Sequence, residues 1–138
     1  NSSLQVCNGC VVVKYILKTW TEAQTYCRQK FDDLASIDNR GENDRLQTVL
    51  QDQGIFAWIG LKDNLMSWKW PLGGRFDNMR SFNNWKSNEP VTKPYMHTCT
   101  LMTADGLWYS SHCAAKHPAV CYDGKKNFFF SPSSFIRI

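Results

Sequence analysis

The sequence has no apolar run of about 18 residues, the length a membrane-spanning helix requires. It shows no basic segment followed by an apolar core ahead of Asn1, so no secretory leader is visible. The chain therefore reads as a mature or trimmed segment, with any signal or anchor outside it. It also has little charge of one sign in excess. Sixteen basic and 12 acidic side chains give a net charge of +4 and are mixed along the chain, which does not argue for nucleic acid as a partner. Low-complexity stretches are missing too. A hydrophobic fraction of 43% and an aromatic fraction of 14% suffice for a core and exclude a disordered chain. The 138 residues fit one domain and leave no room for two of full size.

A catalytic constellation is absent as well. Nucleophilic catalysis needs a nucleophile and a base held together, and no Ser-His-Asp or paired-carboxylate signature is present. His97, His112 and His117 read as loop or surface structure. No enzymatic activity is expected.

What the sequence does have is cysteine: Cys7, Cys10, Cys27, Cys99, Cys113 and Cys121. An even number in a small chain favours a disulfide framework made outside the cytosol, although spacing alone does not choose the pairing. Cys7-Asn8-Gly9-Cys10 has the two-residue gap of a zinc knuckle. A second such pair is missing, however, and Val11, Val12 and Val13 follow where a redox motif wants a helix start. Asn1-Ser2-Ser3 is a glycosylation sequon, with Asn1 as acceptor. The expected compartment is extracellular, as a secreted protein or the ectodomain of a membrane protein.

Residues 11 to 17, VVVKYIL, are β-branched and aromatic and read as a strand. Thr19 followed by Glu22 has capping-box spacing, which predicts a helix from Trp20 to about Lys30. Ala23, Tyr26, Cys27 and Phe31 form its apolar face. Asn39 and Glu42 repeat the cap spacing before a second helix. Leu46, Val49 and Leu50 mark its buried side, and Gly54 ends it. Phe56, Trp58, Ile59 and Leu61 then form a strand-like run containing Gly60, a position that signals close backbone approach or a bulge. Between Lys62 and Tyr109 no long periodic element is evident. The stretch nevertheless carries Trp68, Trp70, Phe76, Phe82 and Trp85, so it reads as an ordered long-loop region hung on aromatic anchors, a kind of loop that usually carries function. Short strands are expected at 96–104, 106–110 and 116–122. The outline is an α+β domain closed by its two ends.

The motifs Trp20-Thr21-Glu22-Ala23-Gln24-x-x-Cys27, Leu34-Ala35, Trp58-Ile59-Gly60-Leu61, Cys99, Gly106-x-Trp108, Cys113 and Cys121 together resemble the C-type lectin-like domain. The likeness covers roughly residues 10 to 122. It implies a double-loop α+β fold with two helices and short antiparallel sheets, stapled by disulfides. By resemblance, Cys27 pairs with Cys121 and Cys99 with Cys113, leaving Cys7 for Cys10. That last pair is closer in sequence than the extra N-terminal pair of the family's long form. Trp58, Gly60, Trp70 and Trp108 are the structural core residues so implied. The domain division is an N-terminal extension at 1–9, the domain at 10–122, and at 123–138 an apolar tail or the start of a following module.

Sugar-binding members of that family hold a calcium ion with a Glu-Pro-Asn or Gln-Pro-Asp motif, an acidic residue before a cysteine, and a Trp-Asn-Asp motif. Here the first motif reads Glu89-Pro90-Val91, His97 and Thr98 precede Cys99, and the last motif reads Trp108-Tyr109-Ser110. Calcium takes six to eight oxygen ligands, and Glu89 alone retains a matching one. No calcium or other cofactor is therefore expected at this primary site. A second calcium position in the family would draw on loop acids such as Asp63, with Asp77 and Asp105 the other loop acids in the region.

The candidate ligand-binding residues of the degenerate loop site are Lys86, Glu89, Val91, Lys93, Tyr109 and Ser110. Lys62, Lys69, Arg75 and Arg80 add to a moderately basic face, which suits an acidic protein surface or a sulfated glycan. The tryptophans read as anchors before sugar-stacking platforms. The expected function is a calcium-independent, non-catalytic recognition module that binds a protein ligand through the long-loop face around residues 62 to 110. One alternative is a lectin with a calcium-independent or displaced sugar site. The other is an assembly domain that forms a homo-oligomer through its tail, or covers a neighbouring C-type lectin-like domain. Phe128, Phe129, Phe130, Phe135 and Ile136 make that tail apolar.

Overall fold

The β-branched run after Cys10 folds as a long strand, β2 (Cys10–Lys18), preceded by the short β1 (Gln5–Cys7). Thr19 then caps the first helix, α1 (Trp20–Lys30), with both arms of a capping box. The Glu22 amide donates to Thr19 Oγ1 at 3.2 Å and the Thr19 amide donates to Glu22 Oε1 at 3.0 Å. That contact to the Thr19 amide holds the Glu22 carboxyl below the usual carboxylate range. After β3 (Asp33–Leu34), Asn39 caps α2 (Arg40–Gln53) by accepting from the Glu42 amide at 2.9 Å. Gly54 ends α2 at φ 63°, a left-handed position that glycine occupies without penalty, and its amide closes the last turn onto Leu50 O at 2.8 Å.

These elements come from a computed structural model, which describes residues 5–7, 10–64, 67–70, 76–77, 82–91, 97–124, 128–130 and 135–137. Residues 5–7, 10, 52–53, 64, 67, 76–77, 128–130 and 135–137 are described in backbone alone. Lys93 and Asn1 lie outside the described residues, as do the side chains of Cys7 and Cys10.

The strands β4 (Ala57–Asn64), β5 (Ser67–Lys69) and β6 (Phe76–Asp77) form an antiparallel meander. They run into the region where the sequence shows no long periodic element. Three- and two-residue strands are too short to impose a visible period, and Trp68-Lys69-Trp70 is the only alternation left. Phe56 falls outside the strand and is exposed, so the apolar run starts one residue later than its composition suggests. β7 (Thr98–Met102), β8 (Trp108–His112) and β9 (His117–Asp123) follow, then β10 (Phe128–Phe130) and β11 (Phe135–Arg137).

One sheet runs β11-β2-β9-β4-β5-β6, with β3 joined to β9, β7 joined to β4 and β8 joined to β7. β2 and β9 pair antiparallel, and Val12 stands opposite Cys121. Phe135 of β11 stands opposite Val12 on the other side of β2, while β10 pairs with β1. β11 thus joins the main sheet on β2, while β1 and β10 form a separate two-stranded sheet.

The interior divides into two clusters. The first gathers Val12, Trp20, Ala23, Leu34 and Trp58 around Cys27, Cys99, Cys113 and Cys121. Cys27 is bonded to Cys121 with Cα atoms 5.3 Å apart, and Cys99 to Cys113 at 5.1 Å. Trp58 is fully buried, and its Nε1 donates to Lys18 O at 2.9 Å. Gly60, also buried, lets its amide reach Ala35 O at 2.8 Å. The second cluster holds no cysteine. It packs Ile37, Leu46, Leu50, Trp68, Trp70, Trp108 and Val120, with Phe82 and Trp85 against them.

Candidate functional site

Trp108 at the start of β8 anchors the long-loop face. It is fully buried, and three aromatic rings meet it edge-on: Trp70 at 5.6 Å, Phe82 at 5.8 Å and Trp85 at 5.7 Å between centroids. A buried indole N–H needs an acceptor, and Asn43 Oδ1 of α2 supplies one at 2.8 Å. The other end of the Asn43 amide donates to Gly106 O at 3.0 Å, and Asn84 Nδ2 donates to the same carbonyl at 2.5 Å. Gly106 sits at φ 82° with Gln47 pressed against it. A Cβ there would displace the Gln47 side chain, 2.6 Å away at Oε1, and the positive φ itself favours glycine. Asp105 completes the turn by accepting from the Thr103 hydroxyl and the Leu107 amide. The Thr103 contact holds its carboxyl below the usual range.

From Trp108 the loop segment 84–91 is laid alongside β8. The Trp108 amide donates to Asn84 O at 2.9 Å and the Lys86 amide donates to Trp108 O at 3.0 Å, a short parallel bridge. This register sets Lys86 Nζ 5.0 Å above the Tyr109 ring, a cation–π contact. It also brings Glu89 to Ser110. Glu89 Oε1 accepts from the Ser110 amide at 2.8 Å and from the Ser110 hydroxyl. The same hydroxyl oxygen accepts from the Val91 amide at 2.9 Å. Two segments that by the family resemblance would share an ion are thus joined directly by hydrogen bonds. Ser110 stands where the Trp-Asn-Asp motif has its carboxylate, and it makes the cross-link from the opposite side as a donor. Val91, in place of an amide side chain, is 46% exposed and leaves the tip of the face apolar.

Lys86, Glu89, Val91, Tyr109 and Ser110 therefore lie together on one face; Lys93 is outside the described residues. Trp58, Gly60, Trp70 and Trp108 are all buried. Trp68 is likewise buried, 5.0 Å from Trp85. Asp63 lies in β4 opposite Trp68, with Oδ1 buried and without a hydrogen-bond partner. Among the described residues no three His, Cys, Asp or Glu side chains converge as metal ligands. His112 Nδ1 accepts from the Ala114 amide at 3.0 Å. His117 differs from the loop or surface role expected of it. It is half-buried in β9, 5.1 Å from the Trp58 ring, and burial pushes its pKa down.

Asn43 and Asn84, which fix Trp108 and the loop turn, were not marked by the sequence. Asn43 lies on the inward side of α2 among polar neighbours. Its partners are 63 and 65 residues away, so no local pattern signals it.

A family model for the lectin C-type domain matches residues 16–123. C-type lectin 1 of Hydrophis hardwickii is 30% identical over 122 residues, covering 82% of this chain and 72% of that protein. P-selectin of Mus musculus is 28% identical over 109 residues, covering 75% of this chain but only 14% of its own length. The chain thus spans a small part of the selectins it matches. Among solved structures, a calcium-independent type II antifreeze protein superposes with a TM-score of 0.72 at 22% identity, covering 93% of this chain and 95% of that one. The SPL-1–GlcNAc complex does so at 0.74 and 19%, covering 91% and 96%. Identities this low show the shared fold. The family match, the motif order, the double-loop fold and the Cys27–Cys121 and Cys99–Cys113 bridges agree: the chain belongs to the C-type lectin domain family, as a non-catalytic extracellular module that lacks the Glu-Pro-Asn and Trp-Asn-Asp motifs.

Proposed function

We propose that the chain is a calcium-independent carbohydrate-recognition module whose ligand face is formed by Lys86, Glu89, Val91, Tyr109 and Ser110. The observation that carries this reading is the clasp between Glu89 and Ser110. It holds the two loop segments in register without an ion, so a ligand face is organised in advance. The face combines groups that suit a sugar. Tyr109 offers part of an aromatic surface, Lys86 is a donor and a positive charge above it, and the second Glu89 oxygen is an acceptor. A relative named a lectin and a fold neighbour solved with GlcNAc lend support to a glycan ligand. A protein ligand at the same face is the second reading, favoured by the exposed Val91 side chain.

A glycan array probed in EDTA tests the proposal. Retention on a defined subset of glycans, released by free sugar and lost in Ser110→Ala and Lys86→Ala, is the expected result. No retention on any glycan, with unchanged stability of the protein, would exclude it and favour the protein ligand.

A further inference from the structure

β2 and β9 lose register in one place. Lys14 stands opposite Ala119 and Lys18 opposite His117, so Tyr15, Ile16 and Leu17 are spanned by the single residue Pro118. β9 continues through this point with one residue against three, so the extra length is taken up as a bulge in β2. In a regular strand alternate residues would turn inward. Here three consecutive apolar side chains are exposed, by 46%, 53% and 62% for Tyr15, Ile16 and Leu17. The bulge does not fray the strand end, because Trp58 Nε1 holds Lys18 O at 2.9 Å. The ridge is therefore a fixed feature on a firm base.

Beside it, on the outer side of α1, lies a cleft of about 280 Å³ lined by Lys18, Thr21, Glu22, Thr25, Tyr26 and Gln29. Lys18 belongs to both features: it follows Leu17 in the ridge and sets its Nζ 5.6 Å above the Tyr26 ring in the cleft. Charge around them is mostly positive. Lys14, with its Nζ 5.5 Å over the Phe31 ring, and Lys18 flank the ridge, and Lys116 and Lys18 both act on the carboxylate of Glu22, which lines the cleft and accepts from the Thr19 amide.

We propose that this flank docks an acidic, amphipathic segment of a protein partner, with its apolar side chains on Tyr15–Leu17 and one side chain seated in the α1 cleft. The apolar ridge asks for apolar anchors and the lysine rim asks for carboxylates. A second copy of this chain carries the same lysines and a net charge of +4, so the rim opposes self-association. The surface is separate from the long-loop face and is independent of the glycan reading.

The test uses the labelled full chain on an array of short peptides in which Leu, Ile or Phe alternates with Glu, beside a matched array with Lys in place of Glu. Binding to the Glu array alone is expected. Ile16→Glu, Leu17→Glu and Lys18→Glu should each weaken it about tenfold or more, an effect of hot-spot size. Phe56→Ser removes an exposed aromatic outside the flank and should leave binding unchanged. Matching melting midpoints across the variants would show that all are folded. Three results would overturn the proposal. They are absent or equal binding to the two arrays, a dimer in sedimentation that Ile16→Glu dissociates, and co-sedimentation with phosphatidylserine vesicles that depends on Ile16 and Leu17.

Discussion

All four cysteines whose bridges are described lie in the cluster formed by α1, β2 and the middle of the sheet, and none lies in the cluster beneath the long loops. The first region is held covalently. The second is held by a tryptophan ringed by aromatics and by amide side chains that join α2 to the loop. The contrast shows two ways of ordering a segment that has no long ladder of its own. A bridge limits the unfolded chain whatever sequence lies between its ends. An Asn–Trp–Gly network orders only the segment whose polar groups it satisfies. The loop half can therefore change its surface residues while the stapled half keeps the frame.

Removing bridges separates the two halves most strongly. The Cys27–Cys121 bridge spans 94 residues, and its loss as the double alanine variant should cost about 4–5 kcal/mol and unfold the domain near 37 °C. The Cys99–Cys113 bridge spans 14 residues and should cost about 3 kcal/mol. Urea melts of the two variants check both the sizes and the order. An equal loss from the two would mean that loop closure is not what they contribute.

Asn43→Ala acts on the other half. It strands the Trp108 indole N–H and takes one donor from Gly106 O, at about 1–3 kcal/mol. Tryptophan fluorescence, to which Trp68, Trp70, Trp85 and Trp108 of this half contribute, should change before the global melt, since the first cluster does not depend on this contact. One concerted transition by both probes would show that the halves are a single cooperative unit.

The two helices, one in each half, were the most legible elements in sequence. Thr19 with Glu22 and Asn39 with Glu42 announce both helix starts, because capping is local chemistry over three residues. Gly54 marks the end of α2 for the same reason. In the loop half, β5 and β6 were hidden by their shortness, and Asn43 and Asn84 by partners distant in sequence. At the site, the replaced calcium motifs were readable from Val91, Tyr109 and Ser110. That Ser110 would hold Glu89 as a donor was not, because the contact depends on how residues 84–91 lie against β8. The bulge at Tyr15–Leu17 was read as plain strand. It is a mismatch of register with β9, about 100 residues away, and such a mismatch can be recognised only once the pairing is known.

Ser110→Ala should be milder than Asn43→Ala, about 0.5–1.5 kcal/mol, since the Ser110 amide still reaches Glu89. Its larger effect should be on ligand retention. The smallest expected effect belongs to His117. Its folded-state pKa is lowered by burial, so the unfolded state takes up the proton first. Stability from this residue is full above about pH 6.5 and is lost as pH falls through that value toward the lower folded one. The melting midpoint should drop between pH 7.5 and pH 5, and His117→Gln should reduce that drop. An identical drop in the variant would show that His117 does not carry it; the contribution of Asp105, whose pKa is lowered in the fold, is lost only below about pH 4.

The central claim is that the Glu89–Ser110 clasp orders the ligand face without an ion. The thermal midpoint of the oxidised chain, measured in millimolar calcium and again in EDTA, tests it most directly. An ion bound only by the folded state must raise that midpoint. The account predicts the same midpoint in both, and a rise of several degrees in calcium would contradict it.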